Sequence, residues 1–329
     1  MATPIPELIG SPLPAISVIL PVLNEESHLE GAVLSVLSQD YRGPLEIILA
    51  LGPSRDRTNE IATKLASQDN RVKLLDSPTG KTAAGLNLAL AASKSPVVVR
   101  VDGHAQIPKN YISLIVEILN KTGAVNVGGV MAAVGTTAFE RAVAGAMRSP
   151  LGVGASRFHT GGEAGEVDTV YLGAFRREAL VAIGGFDERF TRAQDWELNF
   201  RLRENGGVIY FDPRLHVTYR PRSSVGALAK QYFEYGRWRR VVSRSHSGTI
   251  NLRYLAPPFT LIATLISLFL GLLINPIFYL PAAIYGFFLL ISSALIAKSV
   301  REFILLLAII PTMHFAWGAG FITSTKALR

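Results

Sequence analysis

Two windows near the C-terminus contain no charged side chain, and they constrain the fold more than any other feature of this sequence. Asp, Glu, Lys and Arg are absent from Ala256 to Ala297 and again from Phe303 to Thr325. A helix of about 20 residues, rising about 1.5 Å per residue, crosses a hydrocarbon core of about 30 Å. The windows therefore predict membrane spans near Ala256–Ile274, Ile277–Ala297 and Phe303–Ile322.

Positive charge is concentrated just before the first predicted span. Between Arg220 and Arg253 there are eight Lys or Arg residues and one acidic residue, which gives +7 of the +8 net charge of the chain. The positive-inside rule predicts that this cluster is cytoplasmic, where it would face anionic lipid heads. Nucleic acid is the competing partner for such a charge, and the adjacent spans argue against it. The third window contains Pro311, so a re-entrant segment is the alternative to a third span.

Within this basic region, Ser224 to Ser243 combines cationic and aromatic side chains. Leu228, Tyr232, Tyr235 and Trp238 fall near one helical face, a pattern that favours a helix lying in the membrane interface. A solvated basic face is the alternative. The chain has no cysteine, which is compatible with a reducing cytosol and excludes disulfides and thiolate metal sites. We identify no signal peptide at the N-terminus.

The first half of the chain alternates apolar strands with helices. Strands are predicted over Ala15–Val22, Leu45–Leu51, Val72–Leu75 and Pro96–Val101. The first helix is predicted to begin at Asn24 and to bury Leu34 on its inner face. This alternation indicates an α/β domain with a parallel sheet that is covered on both faces. Later, Ser149–Val167 holds five glycines and is predicted to be a mobile loop that acts as a lid. Val208–Phe211 and Val217–Arg220 are predicted to be two strands.

These patterns divide the chain into four segments. They are a lead-in over 1–15, a catalytic domain over 16–223, basic interface helices over 224–255 and a transmembrane domain over 256–329. In parallel sheets ligands bind beyond the carboxyl ends of the strands. Pro21–Glu25, Gly52–Asp56 and Asp102–His104 all follow predicted strands, so we expect a nucleotide site along that edge.

A second polar feature is Gln194-Asp195, which opens a predicted helix after the turn Gly184-Gly185-Phe186-Asp187. An acidic side chain in the first turn of a helix is electrostatically favoured and holds a defined direction. Such a carboxylate at the mouth of a cleft is suited to removing a proton from an alcohol. The alternative is that Asp195 only caps the helix.

Taken together, these motifs resemble a known family. The motifs on which the resemblance depends are Pro21-Val22-Leu23-Asn24-Glu25, Asp56-Arg57-Thr58, Gly80-Lys81, Val101-Asp102-Gly103-His104, Gly184-Gly185-Phe186-Asp187, Gln194-Asp195 and Tyr232-Phe233-Glu234-Tyr235-Gly236-Arg237. Their order and spacing are similar to those of family 2 glycosyltransferases of the membrane-anchored, succinoglycan-biosynthesis type. The resemblance covers about Ile16 to Ser243 and implies a GT-A fold with a mixed, mostly parallel sheet, which C-terminal transmembrane helices would follow.

The resemblance also implies roles for individual residues. A sugar would move from a nucleotide diphosphate to an acceptor hydroxyl with inversion, and Asp195 would be the catalytic base. The implied nucleotide-sugar contacts are Pro21, Leu23, Glu25, Asp56, Lys81, Asp102 and Arg222. The implied acceptor contacts are Gln194, Trp196, Arg237 and Trp238. The implied ligands of Mn²⁺ or Mg²⁺ are Asp102 and His104, which would offset charge on the leaving diphosphate.

Two departures from the family pattern affect these expectations. Leu51-Gly52 stands where the family has a pair of aspartates, which leaves the nucleobase contact open. His104 replaces the second carboxylate of an Asp-x-Asp motif. An imidazole ligand would favour Mn²⁺ over Mg²⁺, and a spectator histidine is the alternative.

We expect single-sugar addition to a lipid-linked acceptor at the cytoplasmic face of the cell membrane, for envelope or exported polysaccharide. A membrane scaffold that binds nucleotide sugars without turnover is the alternative from another class, and a nucleotidyltransferase is a weaker one. The sequence specifies neither the sugar, the nucleobase, the linkage nor the oligomeric state.

Overall fold

The computed structural model describes residues 13–250, 252–325 and 328. The chain forms two compact units, one within Met1–Ala132 and Gly161–Tyr219, the other within Ala133–Thr160 and Arg220–Arg329. The predicted domain boundaries at residues 15, 223 and 255 stay predictions, and most of the predicted lead-in over 1–15 lies outside the described residues.

One sheet organises the first unit. Its strands are β1 (Ile16–Val22), β2 (Leu45–Leu51), β3 (Val72–Asp76), β4 (Val97–Arg100), β5 (Asn126–Ala133), β6 (Gly165–Glu166), β7 (Tyr171–Arg176) and β8 (Ile209–Tyr219). Their spatial order is β3-β2-β1-β4-β7-β5-β8-β6. β1 to β4 pair in parallel, whereas β7 is antiparallel to β4 and β5, and β6 is antiparallel to β8. The predicted α/β sheet is therefore present, with its parallel half at the N-terminal end of the chain.

Helices of the first unit cover both faces of this sheet, and the second unit has helices of its own. In chain order the helices are α1 (Leu29–Leu37), α2 (Thr58–Gln68), α3 (Thr82–Ala92), α4 (Tyr111–Thr122), α5 (Ala138–Met147), α6 (Pro150–Val153), α7 (Arg157–Thr160), α8 (Arg177–Ala182), α9 (Gln194–Glu204), α10 (Val225–Ser245), α11 (Leu252–Leu273), α12 (Leu280–Ile296) and α13 (Val300–Thr323), with a 3₁₀ turn at Pro276–Tyr279. Val18 and Leu20 of β1 share a core with α1, α2 and α4, while Ile19 shares a second core with α3, α8 and α9. The two cores follow from the alternation of side chains along a strand.

The first helix differs from the prediction. It begins at Leu29, not Asn24, because residues 24–26 bond to the loop after β2 instead of forming a helical turn. Leu34 points outward and is 51% exposed, while the inner face carries Ala32, Val33 and Val36. The buried positions follow the three- and four-residue spacing of one helix face, which Leu34 does not share.

Two further predictions about local structure are wrong. Residues 149–167 are not one continuous loop, since they contain α6, α7 and β6. The two strands predicted over 208–211 and 217–220 are one strand, β8, which continues through Pro213. Proline is tolerated in a strand only where its missing N–H is not needed. Pro213 and Arg214 are exposed, and Arg214 pairs with Asp212 across the proline.

The second unit contains the apolar helices. In the part of the chain that the structure describes, three segments are long and apolar enough to cross a membrane, namely Leu252–Leu273, Pro276–Ile296 and Val300–Thr323. Their large side chains face outward to an extent that water would penalise: Phe259 is 72% exposed and Leu272 is 75% exposed. The three apolar segments predicted from the sequence are thus present as helices, and the third runs through Pro311 without interruption.

Helix α10, which carries the basic cluster, packs against protein instead of lying with its apolar face in lipid. Leu228, Tyr232 and Trp238 are buried, whereas Tyr235 is exposed. The backbones of α10 and α13 are in contact: a Cβ on Gly236 would lie 1.9 Å from the carbonyl oxygen of Trp317. The prediction of an interfacial apolar face is wrong for this reason.

Candidate active site

Loops at the carboxyl ends of β1 and β2 are joined by hydrogen bonds. The backbone N–H groups of Asn24 and Glu25 donate to Ser54 Oγ at 3.1 Å and Thr58 Oγ1 at 2.7 Å. The carboxylate of Asp56 accepts from the backbone N–H of Glu26 at 3.3 Å and from the Thr58 hydroxyl, which lowers the pKa of Asp56. Asp56, a predicted nucleoside contact, therefore stabilises this loop pair, and its role toward the nucleotide stays a prediction.

The glycine at position 52 has a steric reason. A Cβ there would lie 3.0 Å from Leu23 Cδ1 and 3.1 Å from the Cα of Gly80. Three loops, those that follow β1, β2 and β3, approach each other at this point. An aspartate in place of Gly52, as the family pattern has it, would not fit without a shift of the Gly80 backbone. Leu23 and Lys81, two predicted nucleotide contacts, flank this junction, and both are exposed, while Pro21 is half-buried in β1.

His104 and Glu25 form a pair at the same edge. Nδ1 of His104 lies 2.8 Å from Glu25 Oε1. A neutral histidine whose Nδ1–H bonds a carboxylate carries its lone pair on Nε2, which is the arrangement that metal-binding histidines usually show. This pair favours the ligand role of His104 over the spectator role, and that role remains a prediction.

A buried arginine joins the two carboxylates that the sequence singled out. Arg100, at the end of β4, has a side chain only 4% exposed. Its guanidinium donates from Nε to Asp102 Oδ1 at 3.0 Å and from Nη1 to Asp195 Oδ1. Asp102 and Asp195 are 93 residues apart in sequence, and this shared partner places them in one site. Sequence reasoning missed Arg100.

Burial and charge act in opposite directions on Asp195. Burial raises the pKa of its carboxyl group, Arg100 opposes the increase, and the nearby Asp102 adds to it, so the pKa is about 6 instead of 3.8. A pKa near 6 leaves the carboxylate mostly ionised at neutral pH yet basic enough to accept a proton. Tyr171 lies close to the same charges, and burial raises its pKa well above the usual value. Sequence reasoning missed Tyr171 as well.

Helix α9, which carries Asp195, is bonded to the glycine turn that precedes it. Ala193 enters α9 in the left-handed region, at φ 59°, which L residues with a side chain rarely adopt. Arg201 pairs with Glu197 and donates to the carbonyl oxygens of Ile183 and Gly185, both at 2.8 Å. The glycine turn before α9 is thereby fixed to the helix that starts with Gln194-Asp195.

Asn87 holds the next part of this turn. Its amide exchanges two hydrogen bonds of 2.8 Å with the backbone of Phe186, as a neighbouring strand would. Trp196, one residue after Asp195, stacks on Phe200 with ring centroids 5.7 Å apart. Gln194 and Trp196, two predicted acceptor contacts, are half-buried beside Asp195.

Three predicted site residues belong to the second unit. Arg222 is exposed in the segment before α10. Arg237 pairs with Glu234 at 3.2 Å. Trp238 is 1% exposed, so its indole packs inside the unit and is not available to an acceptor in this conformation. The roles of these residues stay predictions.

The sequence of this chain matches a family model and several known proteins. The family model described as Glycosyl transferase family 2 matches residues 17–184. The succinoglycan biosynthesis protein ExoA of Rhizobium meliloti is 32% identical over 308 residues, which are 92% of this chain and 93% of that protein. The chain belongs to glycosyl transferase family 2. The resemblance inferred from the motifs is confirmed.

Other relatives of this family 2 chain support the same assignment. A glycosyltransferase of Methanococcus voltae, named for transfer of a diacetamido-dideoxy-glucuronosyl group to dolichyl N-acetylglucosaminyl phosphate, is 25% identical over 79% of this chain and 83% of its own length. Among solved structures, the mannosyltransferase PcManGT of Pyrobaculum calidifontis, in complex with GDP-Man and Mn²⁺, matches with a TM-score of 0.60 and 20% identity over 96% of this chain and 88% of its own. S. aureus TarS 1-349 with UDP-GlcNAc matches with a TM-score of 0.52 and 17% identity over 92% and 90%. These structures confirm the GT-A fold.

Proposed function

We propose that this family 2 glycosyltransferase moves one sugar from a nucleotide diphosphate sugar to a hydroxyl of a lipid-linked sugar, with inversion. The observation that carries the proposal is that Asp102 and Asp195 share the Arg100 guanidinium at the carboxyl end of β4, one bonded through Nε and the other through Nη1. Donor and acceptor must meet at such a point, because the proton of the attacking hydroxyl and the charge of the leaving group need separate partners.

Asp195 would act as the base. At neutral pH it is mostly ionised, and it would take the acceptor proton as the new glycosidic bond forms and the nucleoside diphosphate leaves. Inversion follows from a single displacement, since the described residues beside Arg100 offer Asp195 as base and need no covalent sugar intermediate. Arg100 orients this carboxylate and compensates for its charge before the substrates bind.

A divalent cation fits the residues at this edge. Asp102 bonds Arg100 through Oδ1, and Oδ2 accepts no hydrogen bond from the described residues. Within residues 13–250, 252–325 and 328, no group of three or more His, Asp or Glu side chains converges on one point. Nucleotide-bound Mg²⁺ and Mn²⁺ usually take only one or two side chains and complete their shell with phosphate oxygens and water. Asp102 and His104 would hold the ion, which would offset charge on the leaving diphosphate.

The membrane-adjacent charge supports the choice of acceptor and of membrane face. Apolar helices with outward side chains follow directly after the basic cluster, and the positive-inside rule then puts that cluster in the cytoplasm. The Methanococcus voltae relative is named for a dolichyl phosphate-linked sugar acceptor. We therefore propose a multi-pass protein of the cell membrane with a cytoplasmic catalytic unit and a lipid phosphate-linked acceptor.

The decisive experiment is transfer of radiolabelled sugar to membrane lipid, from a panel of nucleotide sugars with and without Mn²⁺. The Asp195→Asn enzyme should lose transfer by about a hundredfold or more, since a positioned base contributes about 10²–10⁴. Asp69→Asn, which removes a carboxylate paired with Arg71 instead, is the matched control and should keep full activity. Undiminished transfer by Asp195→Asn would refute the base assignment. Binding of a nucleotide sugar by the wild type without any turnover would favour the scaffold.

A further inference from the structure

A groove runs along the second unit between α10, α11 and α13. Its volume is about 450 Å³, and it is lined by Leu255, Pro258, Phe259, Ile262, Phe321, Ile322 and a single charged residue, Arg240. Small-molecule sites typically have a volume of a few hundred cubic ångströms, mainly apolar walls and few polar groups. None of these residues belongs to the catalytic site described above.

The walls of the groove face the hydrocarbon that would surround the spans. Phe259 and Ile322 are 72% and 46% exposed, whereas Phe321, at 5%, forms a buried floor. α11 and α13 are two of the three segments that are apolar enough to cross a membrane. The groove is therefore accessible from the lipid side of the helices.

Arg240 gives the lining of the groove a positive charge. Its guanidinium carbon lies 5.1 Å from the centroid of the Phe321 ring, and among the described residues it forms no salt bridge. Arg237 and Arg244 precede and follow it by three and four residues on the same helix, and residues at these spacings share a helix face. A cation in the wall of an apolar groove matches an amphiphile with one phosphate and one long chain.

We propose that this groove binds the chain and phosphate of the prenyl phosphate-linked acceptor. The proposal rests on the proposed function, whose acceptor it places. A groove of about 450 Å³ whose lining contains one arginine suits a lipid with one chain and a phosphate at its end. A phospholipid presents two diverging chains, and only one of them would be accommodated. Arg240 would bond the phosphate while Phe259, Ile262 and Ile322 contact the chain.

Binding of a C55 prenyl phosphate to the detergent-purified full chain, measured by native mass spectrometry, tests the proposal. Arg240→Gln removes the head charge and Ile262→Trp fills the groove. Each should weaken binding about tenfold or more, the loss expected from one charge-assisted hydrogen bond or one blocked apolar contact surface. The matched controls are Lys230→Gln on α10 and Ile291→Trp, an exposed position on α12. Both controls should bind as the wild type does.

Two lipid competitors separate the possible occupants. The wild type should bind the C55 prenol, which lacks the phosphate, more weakly than it binds the C55 prenyl phosphate. Arg240→Gln should bind the two lipids equally well. Equal binding of prenyl phosphate to all four variants would overturn the proposal. Displacement of prenyl phosphate by an equal concentration of phosphatidylglycerol would also overturn it, because the groove would then be a site for bulk phospholipid.

Kinetics separate the failure of the groove from the failure of the proposed function. With a prenyl phosphate-linked sugar as acceptor, Ile262→Trp should raise the KM for the lipid about tenfold with kcat unchanged. An unchanged KM together with full transfer would refute the groove and leave the transferase assignment standing. Intact lipid binding with no transfer from any donor would refute the function and leave the groove.

Discussion

Replacing Arg100 by Met should move the pH dependence of transfer, because this arginine is the cation that keeps Asp195 ionised. In the wild type, transfer should fall as the pH drops through about 6, the pKa of Asp195. The base must be deprotonated to accept the acceptor proton, so activity is lost on the acid side. Arg100 lowers this pKa, and its removal must raise it.

The magnitude follows from the burial of the pair. An opposite charge at contact lowers a carboxyl pKa by about 1–3 units, so Arg100→Met should bring Asp195 from about 6 to about 8. At pH 7 the ionised fraction then falls from about nine-tenths to about one-tenth, roughly a tenfold loss of rate that is regained near pH 9. Removal of one partner of a buried pair also costs stability, here about 3–5 kcal/mol.

Initial rates of sugar transfer at saturating Mn²⁺, measured from pH 5 to 9, give the profile. Arg214→Met is the matched control, since Arg214 also bridges two carboxylates, Asp212 and Glu117, within the same unit. In this variant the transfer rate should still fall near pH 6 on the acid side of the profile, as in the wild type; this fall is called the acid limb below. Arg100→Lys keeps the charge and should shift the limb less than Met does. If the limb stays near pH 6 in Arg100→Met, either Arg100 does not set this pKa or Asp195 is not the titrating base.

Three further predictions concern stability and metal binding. Asp195→Asn should abolish the fall in stability that the wild type shows in denaturant titration between about pH 4 and about pH 6, because the raised folded pKa makes wild-type stability fall as pH rises through that window and the Asn variant has no carboxyl group there. The same fall in the Asn variant would contradict the burial argument. Glu25→Gln and His104→Gln should each weaken Mn²⁺ binding, by about tenfold or more in calorimetry with a nucleoside diphosphate. Unchanged affinity in both would remove His104 from the ligand set. Gly236→Ala should lower the midpoint of thermal unfolding through a clash worth about 1–3 kcal/mol or more, whereas Gly226→Ala, with open space around its Cβ, should raise it slightly. Equal effects would show that the α10–α13 contact is loose.

The edge of the sheet was predictable because its signals are local. A buried parallel strand is a continuous apolar run, and the break after it marks the carboxyl end where ligands bind. β1, β2 and β4 follow this rule, and the loops after them carry Glu25, Asp56 and Asp102, as predicted. Asp195 was predicted from a different local signal, an acidic residue in the first turn of a helix after a glycine turn, and its role as the base stays a prediction.

The residues that sequence reasoning missed depend on contacts between distant segments. Arg100 stands at the end of an otherwise apolar strand, and that isolated charge was the available signal. Its partner Asp195 comes 95 residues later, and nothing local indicates that β7 and α9 bring the two together. The interfacial prediction for α10 was wrong for a related reason: an apolar stripe shows that a face is covered but not whether protein or lipid covers it.

The glycines at the crossing of α10 and α13 have a consequence for how the basic cluster works. At Gly236 and Gly320 each helix touches the other's main chain, with separations of 1.9 and 2.0 Å for an added methyl carbon. Because of these contacts, α10 cannot rotate about its axis or separate from α13 without breaking both of them. The backbone positions of the α10 arginines relative to the third apolar helix are therefore fixed. A headgroup that binds them meets cations whose Cα atoms stand at set spacings, and only the side chains can adapt.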